Sequence, residues 1–440
     1  MTVEHTPIAG ASGGSEANSD TAGRSHTGGD PEALVAAGHA RLRDLLLGGN
    51  VLWLSVVSLL NDAASEMIYP LLPVFLVGSL AAGPAFLGLI EGVAESVSSF
   101  LKLGSGWLSD RVRRRKPLVA GGYALAAVAR PLIALAAAPW HVLVIRFSDR
   151  IGKGLRSAPR DALLAASVPA ERRGAAFGFH RAADHAGAVI GPVIATLLLL
   201  AFDQRLRPVF ALAAVPGAIA VIVVLVRVRE RAPGHSARER ANATVTAEPG
   251  DAGATRVTLD RTFLAYLAVL TLFTLGNATD AFLLLRAEDI GVPIALVPLL
   301  WAAHHVSKMA WNLPGGMLAD RFGPRRAIVA GWTVYALTYA GFAFAGTAWH
   351  AWALFLVYGL FYGLTEAPEK ALVARLTSAT NRGAAFGAYH FAIGVAALPA
   401  SVIFGVLWMA GGPRVAFLLG AGIAILAAAL LPIVVREAAA

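Results

Sequence analysis

The chain has 440 residues, of which 57% are hydrophobic and only 15% charged, and its mean hydropathy is +0.63. Soluble domains carry about 25% charged residues, so this composition excludes a water-soluble enzyme or binding module and places the chain in a bilayer. The formal net charge is +9, and the lack of cysteine excludes both a disulfide framework and a thiolate metal site.

In chain order, residues 1–45 are rich in Gly, Ser, Ala and Thr and lack the apolar core of a signal peptide, so they read as a disordered cytoplasmic tail. His5 and His26 lie too far apart in it to form a metal tract. Residues 46–228 hold six apolar runs and residues 261–440 hold six more. Among these, 51–76, 118–138, 209–226 and 415–435 reach the roughly 20 residues that a spanning helix needs. Residues 229–260, with Pro233-Gly234, Pro249-Gly250 and several Arg, form a cytoplasmic linker. The fold class predicted is all-α integral membrane, with twelve transmembrane helices in two six-helix pseudo-symmetric bundles.

Basic residues fall in alternate loops, at 111–116, 172–173, 227–240, 321–326 and 382, whereas the intervening loops at 77–84 and 136–140 carry no charge. Cytoplasmic loops retain positive charge, so both termini are expected inside and the chain in the inner (plasma) membrane. The excess of +9 is thereby explained without nucleic acid.

The two halves repeat each other. Gly106-Trp-Leu-Ser-Asp110-Arg111 recurs as Gly316-Met-Leu-Ala-Asp320-Arg321, Arg173-Gly-Ala-Ala-Phe-Gly178 recurs from Arg382 to Gly387, and Ala158-Pro159 recurs as Ala367-Pro368. Duplication inside apolar sequence implies a transporter built around a central pseudo-symmetric cavity. The Gly-x-x-x-Asp-Arg signature, once between the second and third helices of each half, resembles that of the major facilitator superfamily over about residues 50–436. The first copy has Arg113 where the family usually has the Gly seen at Gly323. The resemblance implies that Gly106, Asp110, Arg111, Gly316, Asp320 and Arg321 act as gates, through charge-assisted bonds made in one conformation and released in the other.

Gly178, Gly187, Gly191 and Pro192 resemble the fifth-helix motif of antiporters in the superfamily, and the second half, around Gly394 and Pro399, lacks the Gly-Pro pair. The glycines let helices approach and Pro192 bends the helix; a plain packing stripe is the alternative. Asn61-Asp62-Ala-Ala-Ser65-Glu66 and the charged segment from Arg146 to Asp161 give a weaker resemblance to a prokaryotic subgroup that includes nickel and cobalt resistance permeases. That segment lacks the flanking strand and the Gly-Lys-Ser/Thr ending of a phosphate loop. Arg146 resembles the family's fourth-helix arginine implicated in proton relay.

At about 1.5 Å of rise per residue, Asp62, Glu95, Asp184, His185, His304 and His305 converge on one depth near mid-bilayer. A charge at a helix centre costs roughly 2.5–3.5 kcal/mol, so such groups mark pathways. Proton coupling is assigned to Asp62, Glu66, Glu95, His305 and Arg146, and the substrate cavity to Glu91, Asp184, His185, His304, Lys308 and Tyr389, with Trp53, Phe177 and Tyr362 as further aromatic lining. Buried structural pairs, Glu95 with Lys308 or Asp184 with Arg181, are the alternative. Arg130 and Arg286 are expected to snorkel or pair, and His141 and His350 to sit at the interface. The function expected is proton-coupled antiport exporting a small organic substrate by alternating access, by a monomer whose partners are its substrate, protons and membrane lipid, without a cofactor. A divalent metal exporter using Asp62, Glu95, His185 and His305 is the first alternative. A non-transporting receptor or scaffold is the second, and no enzymatic constellation is present.

Overall fold

The computed structural model describes residues 49–111, 115–169, 173–230, 260–378 and 382–435, with side chains described except at 102–111, 173–175 and 382–383. The expected tail and nearly all of the expected linker lie outside these residues. Among the described residues, besides a single α-turn at Leu72–Val74, the α-helices in order are α1 Gly49–Glu66, α2 Pro84–Arg111, α3 Lys116–Ala129, α4 Pro139–Ala166, α5 Arg173–Ala201, α6 Leu206–Leu212, α7 Ala214–Arg227, α8 Arg261–Gly276, α9 Ala281–Asp289, α10 Val297–Phe322, α11 Pro324–Phe344, α12 Ala348–Arg375 and α13 Arg382–Val434.

Short irregular turns extend some of these helices into full spans. After α1 the chain continues through 3-10 and π turns from Tyr69 to Ser79, where Pro70 and Pro73 lack the N–H that a regular helix needs. After α3 a 3-10 turn runs over Arg130–Leu135 and contains Pro131. Helices α6 and α7 form one span, as do α8 and α9, which are separated by an irregular step at 277–280. Within α13, Gly412 adopts φ 78°, a left-handed conformation open to glycine, and Pro413 starts a second arm. Twelve spans result among the described residues. Eight stretches are long and apolar enough to cross a membrane on composition alone, one of them containing both arms of α13. The remaining three, α4, α10 and α12, carry most of the polar groups described below.

Alternation of the spans puts the Arg-rich loops at one end of the bundle, the basic face, and the uncharged loops at the other, the neutral face. At the neutral face one apolar core joins both halves, packing Leu71, Leu72, Phe75 and Leu76 of the α1 extension with Phe282, Leu283 and Leu284 of α9. Toward the basic face the first half keeps a separate core of Val51, Leu54, Val57, Leu163 and Val224. The halves thus share a core at the neutral face, while toward the basic face the described apolar residues of the first half form a core of their own.

Between the halves, α2 and α13 run together in close contact. A Cβ on Gly88 would strike the carbonyl oxygen of Ser401, and one on Gly92 would lie 2.9 Å from Leu398 Cα. Ser96 Oγ donates to the Gly394 carbonyl at 2.6 Å, and the Phe100 and Phe391 rings meet at 5.6 Å. Further contacts between the halves are made by α5 against α10 and by the α1 extension against α9 and α10.

Candidate functional site

The first half contributes a layered charge network. In α4 Arg146 donates from Nε to Glu91 Oε1 at 2.9 Å and from Nη2 to Glu91 Oε2 at 2.7 Å, a bidentate pair that ties α4 to α2. Asp149 lies one turn on, with Oδ1 2.9 Å from Arg130 Nε. Arg130 Nη1 donates to both Asn61 O at 2.9 Å and Asn61 Oδ1 at 3.0 Å, and Asn61 Nδ2 donates to Asp62 Oδ1 at 2.9 Å. Asp62 is thus linked through an amide to a buried ion pair, and its electrostatic neighbours include Asp184, Lys153 and Arg156.

One turn further along α1, Glu66 reaches the other half. Trp301 Nε1 of α10 donates to Glu66 Oε2 at 2.8 Å. The Trp301 ring lies 5.3 Å from Tyr69, 5.2 Å from His304 and 5.0 Å from His305, so the bond is set in an aromatic layer.

The second half answers with hydroxyls. The step at 277–280 leaves Asp280 at the N-cap of α9, and its carboxylate accepts Tyr358 OH at 2.8 Å and Tyr362 OH at 2.7 Å. His304 is buried, stacks on Tyr358 and has Nδ1 3.1 Å from the Phe355 carbonyl, which can only accept, so this nitrogen carries the proton. Lys308 Nζ sits 3.8 Å above the Tyr362 ring. Neither ring nitrogen of His305 has a hydrogen-bond partner among the described residues. Nearer the basic face, Asp184 lies 3.7 Å from both Arg181 and His180, and Glu366 lies 3.5 Å from Lys370. Arg181 and Glu366, with side chains 68% and 43% exposed, are electrostatic neighbours across the space between the halves, and His185 and Lys308 share that space.

The sequence-predicted residues therefore separate into groups. Asp62, Glu66, His185, His305 and Lys308 are half-buried around the space between the halves, while His304 is buried in its wall. Glu91 and Arg146 are locked to each other rather than left open to substrate or proton. Tyr389 does not line the cavity: it is buried and donates to Glu369 Oε2 at 2.8 Å, while Trp332 Nε1 donates to Oε1 at 3.2 Å. Asp184 is paired with Arg181, the structural alternative raised above, and Glu95 is exposed. Asp62, Glu95, His185 and His305 do not gather as metal ligands; among the described residues no group of three or more His, Cys, Asp or Glu does. Arg130 pairs, and Arg286 donates to the carbonyls of Phe342 and Ala345 at 3.3 and 2.7 Å, which pins the turn after α11. Trp53 lies under Arg227 at 4.8 Å and Phe177 packs on the smaller core, both away from the aromatic layer.

Asp320 and Arg321 are exposed at the end of α10, ahead of Gly323 at φ 88°. Gly316 has open space around it, and the side chains of Gly106, Asp110 and Arg111 lie outside the described residues. In α5, a Cβ on Gly187 or Gly191 would strike the carbonyl oxygens of Leu59 and Ala63, so these glycines bring α5 against α1 beside Asp62; Gly178 meets nothing, and Pro192 lies buried in the helix. Sequence reasoning missed Asp280, Glu369, Tyr358 and Trp301, and it placed Asp149 in a charged segment without its partner Arg130. Asp280 was signalled by the polar Asn277-Ala-Thr-Asp280 break in an apolar run, and Glu369 by following the repeated Ala367-Pro368.

A family model for the Major Facilitator Superfamily matches residues 54–303 and 277–439. The chain belongs to this superfamily. An uncharacterised MFS-type transporter of Methanocaldococcus jannaschii is 33% identical over 398 residues, which cover 88% of this chain and 95% of that one. The multidrug resistance protein MdtH of Salmonella arizonae is 24% identical over 323 residues, 73% of this chain and 76% of its own length. Among solved structures, the nucleoside transporter NupG has a TM-score of 0.71 at 14% identity, covering 89% of this chain and all of that one, a likeness of fold. Membership makes the chain a multi-pass membrane transporter and not an enzyme, and it explains the two six-helix halves.

Proposed function

We propose that this transporter is a proton-coupled antiporter that exports a small organic substrate, working as a monomer in the plasma membrane with its basic face and termini in the cytoplasm. The observation that carries the reading is the Trp301–Glu66 bond. It places an ionisable carboxylate, half-buried, in direct contact with the opposite half at the head of the space that opens to the basic face. An ionised carboxylate makes a charge-assisted bond to an indole N–H, and a protonated one makes only a weaker neutral bond. Proton uptake at Glu66 therefore loosens the tie between halves, which is the differential interaction that a coupled two-state machine needs. Asp62, one turn toward the basic face and linked to Arg130 through Asn61, is the companion site. Asp320 and Arg321 gate the basic face, with Asp110 and Arg111 as their counterparts. The multidrug name carried by MdtH supports an organic substrate.

The test is transport in proteoliposomes under an imposed pH gradient, with fluorescent dyes and antibiotics as a substrate panel. The parent protein should move at least one compound against its gradient, with proton movement in the opposite sense. Glu66→Gln should abolish the proton-driven component while leaving equilibrium exchange. Parent-like proton-driven transport in both Glu66→Gln and Asp62→Asn would overturn the coupling assignment.

A further inference from the structure

Lys308 is placed unusually for a cavity lysine. Its ammonium is 3.8 Å above the Tyr362 ring and, among the described residues, makes no ion pair with a carboxylate. The Tyr362 hydroxyl donates to Asp280 Oδ2, and Tyr358 donates to Oδ1. Hydrogen bonding to a carboxylate adds electron density to both rings and so strengthens their attraction for a cation. Lys308, Tyr362 and Asp280 are all half-buried, hence reachable from the space between the halves, while Trp301 and His304, both buried, back that space on the neutral-face side. Glu366 stands one turn from Tyr362 on α12, toward the basic face, and is an electrostatic neighbour of Lys308.

We propose that the Tyr362 ring backed by Asp280 is the subsite for a cationic nitrogen of the substrate, and that Lys308 fills it in the empty transporter as a tethered stand-in. This rests on the reading that the chain carries organic compounds. The substrate class is an organic ammonium, up to quaternary, on an aromatic or apolar body: the nitrogen takes the ring face and the body lies in the space between the halves. On arrival, the substrate nitrogen displaces the Lys308 ammonium, which swings one turn toward Glu366. The cavity thus keeps one cation at Tyr362 in both the empty and the loaded state. A substrate lacking that cation leaves Lys308 in place and loses the ring face.

The experiment uses the full-length protein in detergent, titrated with ethidium as an aromatic quaternary cation and with chloramphenicol as an uncharged comparison. Lys308→Met keeps the stem and removes the competing charge. It should tighten ethidium binding by about twofold to thirtyfold, the span of one cation–π contact, and leave chloramphenicol unchanged. Tyr362→Leu should weaken ethidium by a similar factor and erase the gain when combined with Lys308→Met. Tyr362→Phe keeps the ring, and with thermal melting it separates loss of the subsite from loss of fold. Unchanged or weaker ethidium binding in Lys308→Met, or parent-like binding in a folded Tyr362→Leu, overturns the subsite. A parent that transports uncharged compounds but binds no ethidium overturns the subsite and leaves the export reading standing. Failure of every compound in the transport panel removes the export reading itself.

Discussion

Arg146 and Glu91 are 5% and 4% exposed and hold each other through two parallel bonds. Removing one member leaves a buried charge unanswered, which costs about 3–5 kcal/mol, whereas replacing both with apolar groups is often close to neutral. Glu91→Gln should therefore lower the midpoint of thermal unfolding in detergent markedly, and Glu91→Leu combined with Arg146→Met should recover most of the loss. An unshifted midpoint in Glu91→Gln would show that the pair carries no structural load. Both residues were legible in the sequence as intramembrane charges, yet their partnership was not. Counting residues gives depth along a helix, but the side of the helix a residue occupies and the neighbour it meets depend on packing. Tyr389 shows the same limit: residue type and helix placed it in the cavity lining, while its hydroxyl turned into the second half to meet Glu369.

Helix pairs explain why the halves look alike and differ. Arg160 of α4 has Tyr123 and His180 as electrostatic neighbours, and the repeat places Glu369 of α12, with Trp332 and Tyr389, at the corresponding three positions. The same site holds a cation in one half and a carboxylate in the other. Repetition was visible in the sequence because gate and glycine motifs were retained; this exchange was not, because the residues were replaced and only their geometry was kept. The glycines of α5 divide in the same way. Gly191→Ala drives a methyl group into the Ala63 carbonyl, whereas Gly178→Ala meets open space. Overpacking of this kind costs about 1–3 kcal/mol. Gly191→Ala should lower the melting midpoint and slow transport, while Gly178→Ala should melt like the parent; equal behaviour of the two would remove the packing role assigned to Gly191.

At the scale of the whole molecule, a shared core at the neutral face and a separate one toward the basic face predict that the space between the halves is reached from the basic face. The absence of cysteine from the sequence makes this directly testable, since any introduced thiol is unique. Arg181→Cys and Glu366→Cys should react rapidly with a polar maleimide from the basic face, and Leu283→Cys, in the neutral-face seal, should react slowly from either side. A transported substrate or a pH gradient that populates the other state should slow the first two and speed the third. Equal reactivity at all three positions would remove the prediction of access from the basic face. The α2–α13 seam has a further consequence, for heredity. Every single-base change in a glycine codon that does not preserve glycine either adds at least a Cβ or ends the chain, and at Gly88 and Gly92 that added carbon meets backbone. Lineages under selection for a changed substrate would therefore find their viable variants in the cavity wall, at positions such as Lys308 or Tyr362, while the seam between the halves stays closed to exploration.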